Sequence, residues 1–97
     1  MHPFDKAKLY TSKLVYEAMN NESDEFSRDV MTSVSRFMRL DWGDTMAEDI
    51  AINIDALKYK DRVLAVYETI KGRVFITAES EDGVDYTTLV IMFPEEY

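Results

Sequence analysis

The chain has 97 residues, 46% of them hydrophobic, which is enough for one domain with a real core. Nineteen acids against eleven bases leave a net charge of −8, which disfavours contact with nucleic acid or anionic membrane and favours a basic surface. Cysteine is absent, which excludes disulfides, thiolate metal sites and a cysteine nucleophile. No apolar run approaches the roughly 20 residues of a membrane helix. The start, Met1-His2-Pro3-Phe4-Asp5-Lys6, lacks the apolar core of a signal peptide, so the expected location is the cytoplasm.

In chain order, Thr11 to Asn20 reads as a short helix with Leu14, Tyr16, Ala18 and Met19 as its apolar set, broken at Asn20-Asn21-Glu22. Ser23 is suited to cap a second helix, whose first turn carries Asp24 and Glu25 where the dipole favours anions. Phe26, Val30, Val34, Phe37 and Met38 share one face of it, and Arg28, Arg36 and Arg39 fall on another. That helix should stop near Asp41-Trp42-Gly43. Thr45 and Glu48 have the spacing of a capping box for a third helix, with Ile50, Ile54 and Leu57 buried and fraying near Tyr59-Lys60.

From Arg62 the pattern turns to strands: Val63 to Thr69, Arg73 to Glu79 and Tyr86 to Phe93. Lys71-Gly72 and Asp82-Gly83 separate them as turns. The expected fold is α+β, a single domain over residues 1–97. Three N-terminal helices (11–60) would pack on one face of a three-stranded antiparallel β-meander (62–93). With two-residue turns, Val63, Ala65, Tyr67, Val74, Ile76, Ala78, Leu89 and Ile91 face the helices. Leu64, Val66, Glu68, Phe75, Thr77, Glu79, Tyr86, Thr88, Val90 and Met92 form a half-apolar second face, with Phe75 opposite Val90 and Glu79 opposite Tyr86. Such a face is covered either by the N-terminal segment or a second copy of the chain, as a homodimer, or by a different partner.

Charge is unevenly placed. Residues 1–40 carry six acids and six bases; residues 41–97 carry thirteen acids and five bases. The last stretch, Val74 to Tyr97, holds Glu79, Glu81, Asp82, Asp85, Glu95 and Glu96 with no base.

Catalytic chemistry finds little support. His2 is the lone histidine, so the common triads and zinc sites cannot be assembled. Asp41, Asp44, Glu48 and Asp49 are the densest carboxylate group. They suit a hard cation, or more simply the start of the third helix, and they do not follow a calcium-loop pattern. No catalytic, cofactor-binding or metal-ligating residue is assigned. The strip Arg28, Arg36, Arg39 is small for phosphate binding in so acidic a chain, and a solvated face paired with Asp24, Asp29 or Asp41 accounts for it. Trp42 is either folded onto the core or exposed as an interface anchor.

Arg39-Leu40-Asp41-Trp42-Gly43-Asp44, Glu48-Asp49, Asn53, Ala56-Leu57, Arg62 to Tyr67, Thr87-Thr88-Leu89 and Phe93-Pro94-Glu95-Glu96-Tyr97 together resemble a family of short proteins from plasmids, conjugative elements and prophages of Gram-positive bacteria. The resemblance covers roughly Ser33 to Tyr97. Its joint mark is Asp-Trp-Gly-Asp with a terminal Phe-Pro-Glu-Glu-Tyr. Val74-Phe75-Ile76-Thr77-Ala78-Glu79 stands where the family has a strand like Ile-Trp-Ile-Ile-Thr-Glu, and Ser80 to Asp85 is longer and more acidic than its usual turn. Similar small mobile-element proteins include type II-A anti-CRISPR proteins, which inhibit Cas9-type effectors. The resemblance therefore implies a non-catalytic inhibitor in the cytoplasm of a host bacterium.

Three functions follow as expectations. The first is an acidic protein that binds a basic partner, such as Cas9 or its guide-RNA-binding surface, without direct nucleic-acid or membrane contact. Its contacts would be Glu79, Glu81, Asp82, Asp85, Tyr86, Glu95, Glu96, Tyr97 and Phe75, with Asp41, Trp42 and Asp44. The second is an antitoxin-like or plasmid-maintenance accessory protein with a basic partner. The third is a small metal-dependent enzyme using Asp41, Asp44 and Asp49.

Overall fold

A computed structural model of the protein describes residues 2–21 and 23–97. The first helix runs through Asn20 and Asn21, where a break was expected, and Glu22 and Met1 lie outside the described residues. The elements are β1 (Lys8–Thr11), α1 (Lys13–Asn21), α2 (Asp24–Met38), α3 (Ala47–Tyr59), β2 (Val63–Thr69), β3 (Gly72–Glu79) and β4 (Thr88–Met92), then a 3-10 turn, Pro94–Glu96. The class is α+β, but the expected three-stranded antiparallel meander is incorrect. The sheet has four strands in the order β1-β4-β3-β2, and β1 lies parallel to β4. A four-residue strand has too short an alternation to announce itself, and its partner is distant in sequence.

Ser12 makes the junction that the sequence hid. Its backbone N–H donates to the Ile91 carbonyl at 2.8 Å, continuing the β1–β4 ladder. Its hydroxyl accepts from the Val15 N–H at 3.2 Å and so caps α1. The helix therefore starts at Lys13 rather than Thr11. Its buried residues are Val15 and Ala18, whereas Leu14 and Tyr16, expected inside, are exposed. The N-terminal segment does not cover the second sheet face. It sends Phe4 into the core, stacked on Phe37 with centroids 4.7 Å apart.

The second helix forms as its spacing predicts. Ser23 accepts from the Phe26 N–H at 3.1 Å, and Phe26, Val30 and Phe37 are buried with Val34 and Met38 packed beside them. It ends at Met38, before Asp41-Trp42-Gly43. The third helix departs from expectation. Met46 is its N-cap residue and no side chain caps it. Thr45 is instead turned to the sheet, its hydroxyl donating to the Trp42 carbonyl and accepting from the Val66 N–H at 2.9 Å. The buried residues of α3 are Asn53 and Ala56; Ile50 and Leu57 are half-buried and Ile54 is exposed.

All eight residues assigned to the helix-facing side of the sheet are buried. The pairing is nevertheless shifted: Phe75 lies opposite Met92, Thr77 opposite Val90 and Glu79 opposite Thr88. Asp82-Gly83 is not a two-residue hairpin but part of a loop over residues 80–87. Asp82 fixes that loop by accepting from the Val84 and Asp85 N–H groups at 2.8 and 3.0 Å. A shift of two residues preserves the side-chain face, which is why the faces survived the error. Tyr86 escapes this rule because it precedes the strand. It is buried beneath α3, donating to the Asp61 carbonyl at 2.6 Å.

Candidate protein-binding surface

The two edges of the sheet are finished differently. Along the outer edge of β2, Asn53 accepts from the Leu64 N–H and donates to the Leu64 carbonyl at 3.2 and 2.8 Å. Thr45 accepts from Val66, the Asp44 N–H donates to the Val66 carbonyl at 2.8 Å, and the Asp44 carboxylate accepts from Glu68 at 3.2 Å. A strand edge normally offers unpaired groups to other chains, and here loop 41–45 and α3 occupy them.

The Asp-Trp-Gly-Asp segment thus acts in the fold. Trp42 is only 8% exposed and meets Phe37 edge-on. Asp41 accepts from Arg36 at 2.9 and 3.1 Å and from the Gly43 N–H at 3.1 Å, which together hold its carboxyl below the ordinary carboxylate range. Gly43 has φ +62°, and a Cβ there would lie 2.4 Å from the Tyr67 ring and 2.6 Å from the Val66 carbonyl oxygen. The Tyr67 hydroxyl donates to the Asp41 carbonyl at 2.7 Å, and burial pushes that phenol's pKa up. Burial corrects Trp42 as a surface contact, whereas Asp41 and Asp44 remain exposed. Trp42 has its ring inside, and the two carboxylates are engaged within the fold. Among the described residues no group of three His, Asp or Glu is placed to hold a metal ion.

The C-terminal acids are largely engaged as well. Glu79 lies 3.8 Å from Arg62, and Asp85 lies 3.4 Å from Lys6. Asp82 closes its own loop, and the Asp85 and Val84 N–H groups lower its pKa. Glu96 accepts from the Phe93 N–H at 2.8 Å and from the Ser12 hydroxyl at 2.6 Å, tying the last turn to the β1–α1 junction. Glu81 and Glu95 stand without a hydrogen bond or ion pair among the described residues. Tyr86, expected at the surface, is fully buried, and burial raises its pKa. Phe75 and Tyr97 do come together: their rings meet edge-on at 5.7 Å across the second sheet face, and Arg62 lies 4.7 Å over Tyr97.

The residues that sequence reasoning missed lie on α3. Glu48, Ile52, Asp55 and Tyr59 follow one another at four, three and four residues and form a single exposed ridge. Ile52 is 61% and Tyr59 67% exposed, and Met46 stands 66% exposed at the helix start. Glu48, Asp49, Asp55 and Asp61 have no ion pair or hydrogen-bonded side chain among the described residues. Two grooves flank Ile52. One, of about 340 Å³, runs between Asp55 and Asp61 over Ala51 and Ala56, with Arg62 at its border. The other, of about 280 Å³, passes Asp49, Asn53 and Leu64 to Tyr97 and so joins the helix to the second sheet face. The signal was present: Ile50, Ile52 and Ile54 alternate by two, and a helix cannot bury all three on one side.

Comparison with known proteins leaves the surface to speak for itself: no family model, curated protein or solved structure matches the chain. Among the described residues, no helix is long and apolar enough to cross a membrane.

Proposed function

We propose that the protein is a non-catalytic acidic binding protein that covers a basic, nucleic-acid-binding surface of a partner protein. The observation that carries this reading is the groove between Asp55 and Asp61 beside exposed Ile52. Arg62 also lines the groove but lies against Glu79 and the Tyr97 ring, and the two carboxylates attract a lysine or arginine side chain whose stem the aliphatic wall accepts. The neighbouring groove, lined by Asp49, Asn53 and Arg62 as well as Ile52, Leu64 and Tyr97, offers mixed polar and apolar contact for the flanking residues of that partner. The family resemblance narrows the partner to a Cas9-type effector, whose guide-RNA groove has the required charge.

Affinity for such an effector, measured with and without guide RNA in low and high salt, tests the proposal. Binding should be strongest without guide, fall as salt rises, and drop at least tenfold when Glu48 and Asp55 are both replaced by lysine. No binding, or binding indifferent to salt and to those replacements, would overturn it.

A further inference from the structure

We infer that the partner presents an amphipathic helix to α3, with a lysine or arginine at two positions seven residues apart and an apolar residue between them. Such a helix is one form of the basic surface proposed above and depends on that proposal. The closed β2 edge is what selects it. The N–H groups of Leu64, Val66 and Glu68 are already held by Asn53, Thr45 and Asp44, so an extended segment finds no edge donors there. A helix brings its backbone groups already paired and needs only a ridge or groove to pack against.

The exposed ridge has the spacing for this. Glu48, Ile52, Asp55 and Tyr59 recur at four, three and four residues, the repeat by which packed helices interlock. Ala47 and Ala51, exposed beside it, are short enough to let a second helix axis come close. The grooves at Ile52, over Ala56 and Asn53, can take one row of that helix's side chains.

Charge sets the chemistry of the occupant. Glu48 and Asp55 have no ion pair or hydrogen-bonded side chain among the described residues, and Ile52 stands between them on the ridge. Their separation along the axis is about 10.5 Å, from the rise of an α-helix. Two bases at the same separation on one face of a partner helix reach both carboxylates, while an apolar residue three or four places after the first meets Ile52. Asp49 and Asp61 add to the same field. Lys58, the one base of α3, lies in its last turn, so the partner's bases belong over the stretch from Glu48 to Asp55.

The probe is an alanine-rich peptide of about 20 residues, long enough to be helical by circular dichroism. It carries lysine at two positions seven apart and leucine four after the first. A second peptide of the same composition sets the lysines five apart, which puts them on different faces. Each is titrated into isotope-labelled full chain in low salt. The first should shift the amide resonances of Ile52, Asp55 and Tyr59 and bind at least tenfold more tightly than the second. Asp55→Lys should weaken the first peptide at least tenfold, and glutamate in place of one of the peptide's lysines should restore binding to that variant. Equal affinity for the two peptides, an undiminished response to a peptide broken by a central proline, or no response to any of them would overturn the inference. An effector that still binds through Glu48 and Asp55 would then show its basic surface to be something other than a helix, whereas loss of effector binding overturns the proposed function itself.

Discussion

The two edges of the sheet carry the same kind of backbone and opposite treatments. At β2, the outward N–H groups of Leu64, Val66 and Glu68 and the carbonyls of Leu64 and Val66 meet Asn53, Thr45 or Asp44, and the helix doing the closing presents its acids outward. At β1, the outward groups of Leu9 and Thr11 have no partner among the described residues and the neighbouring charge is positive. An edge closed by polar side chains cannot recruit a strand, so recognition there falls to side chains on the covering helix. An edge left open can recruit a strand directly.

The largest way to break this contrast is at Gly43. Gly43→Ala would place a methyl group inside contact distance of Tyr67 and the Val66 carbonyl, at a left-handed backbone position. It should cost about 3 kcal/mol or more, read as a lowered midpoint in urea with β2 edge amides losing protection. Asn53→Ala comes next. It strips both Leu64 groups of their partner and should cost about 1–3 kcal/mol, whereas Asn53→Asp, which keeps only the acceptor, should recover part of it.

Base sharpens the same contrast, because the Tyr67 and Tyr86 hydroxyls fasten the Asp41 loop and the end of α3. Both phenols are held neutral in the folded chain, by burial first and by the nearby Asp41 and Asp61 charges second. An unfolded phenol ionises near pH 10. Stability from this source is intact below about pH 10 and is lost as pH rises toward the folded values, so these two tyrosines should ionise only together with unfolding in an ultraviolet titration. The smallest effect on stability belongs to the ridge. Replacing Glu48 and Asp55 with lysine should shift stability by at most about 1 kcal/mol in thermal melts, leaving the partner-binding loss to be read cleanly.

What the sequence made legible follows from the range of each signal. The α2 stripe of Phe26, Val30 and Phe37 repeats along one element, and the inward set from Val63 to Ile91 survives any even shift of register. Neither depends on a distant partner. β1 was invisible because its order comes from pairing with β4, far along the chain. The acids were legible only in part, for a different reason. Val74 to Tyr97 is the most one-sided stretch in composition, yet Glu79, Asp82, Asp85 and Glu96 are engaged by Arg62, loop amides, Lys6 and Ser12. Glu48, Asp49, Asp55 and Asp61, scattered among bases and apolar residues, stand with Glu81 and Glu95 without a hydrogen bond or ion pair among the described residues. Composition counts charges, and only the fold shows which are already paired.

Amide hydrogen exchange, followed residue by residue at low and high protein concentration, tests the unequal edges most directly. Leu64, Val66 and Glu68 should be protected at every concentration, since their partners lie within the chain. Leu9 and Thr11, whose N–H groups have no acceptor among the described residues, should exchange fast. Fast exchange at the β2 amides, or protected Leu9 and Thr11 in dilute protein, would contradict the account.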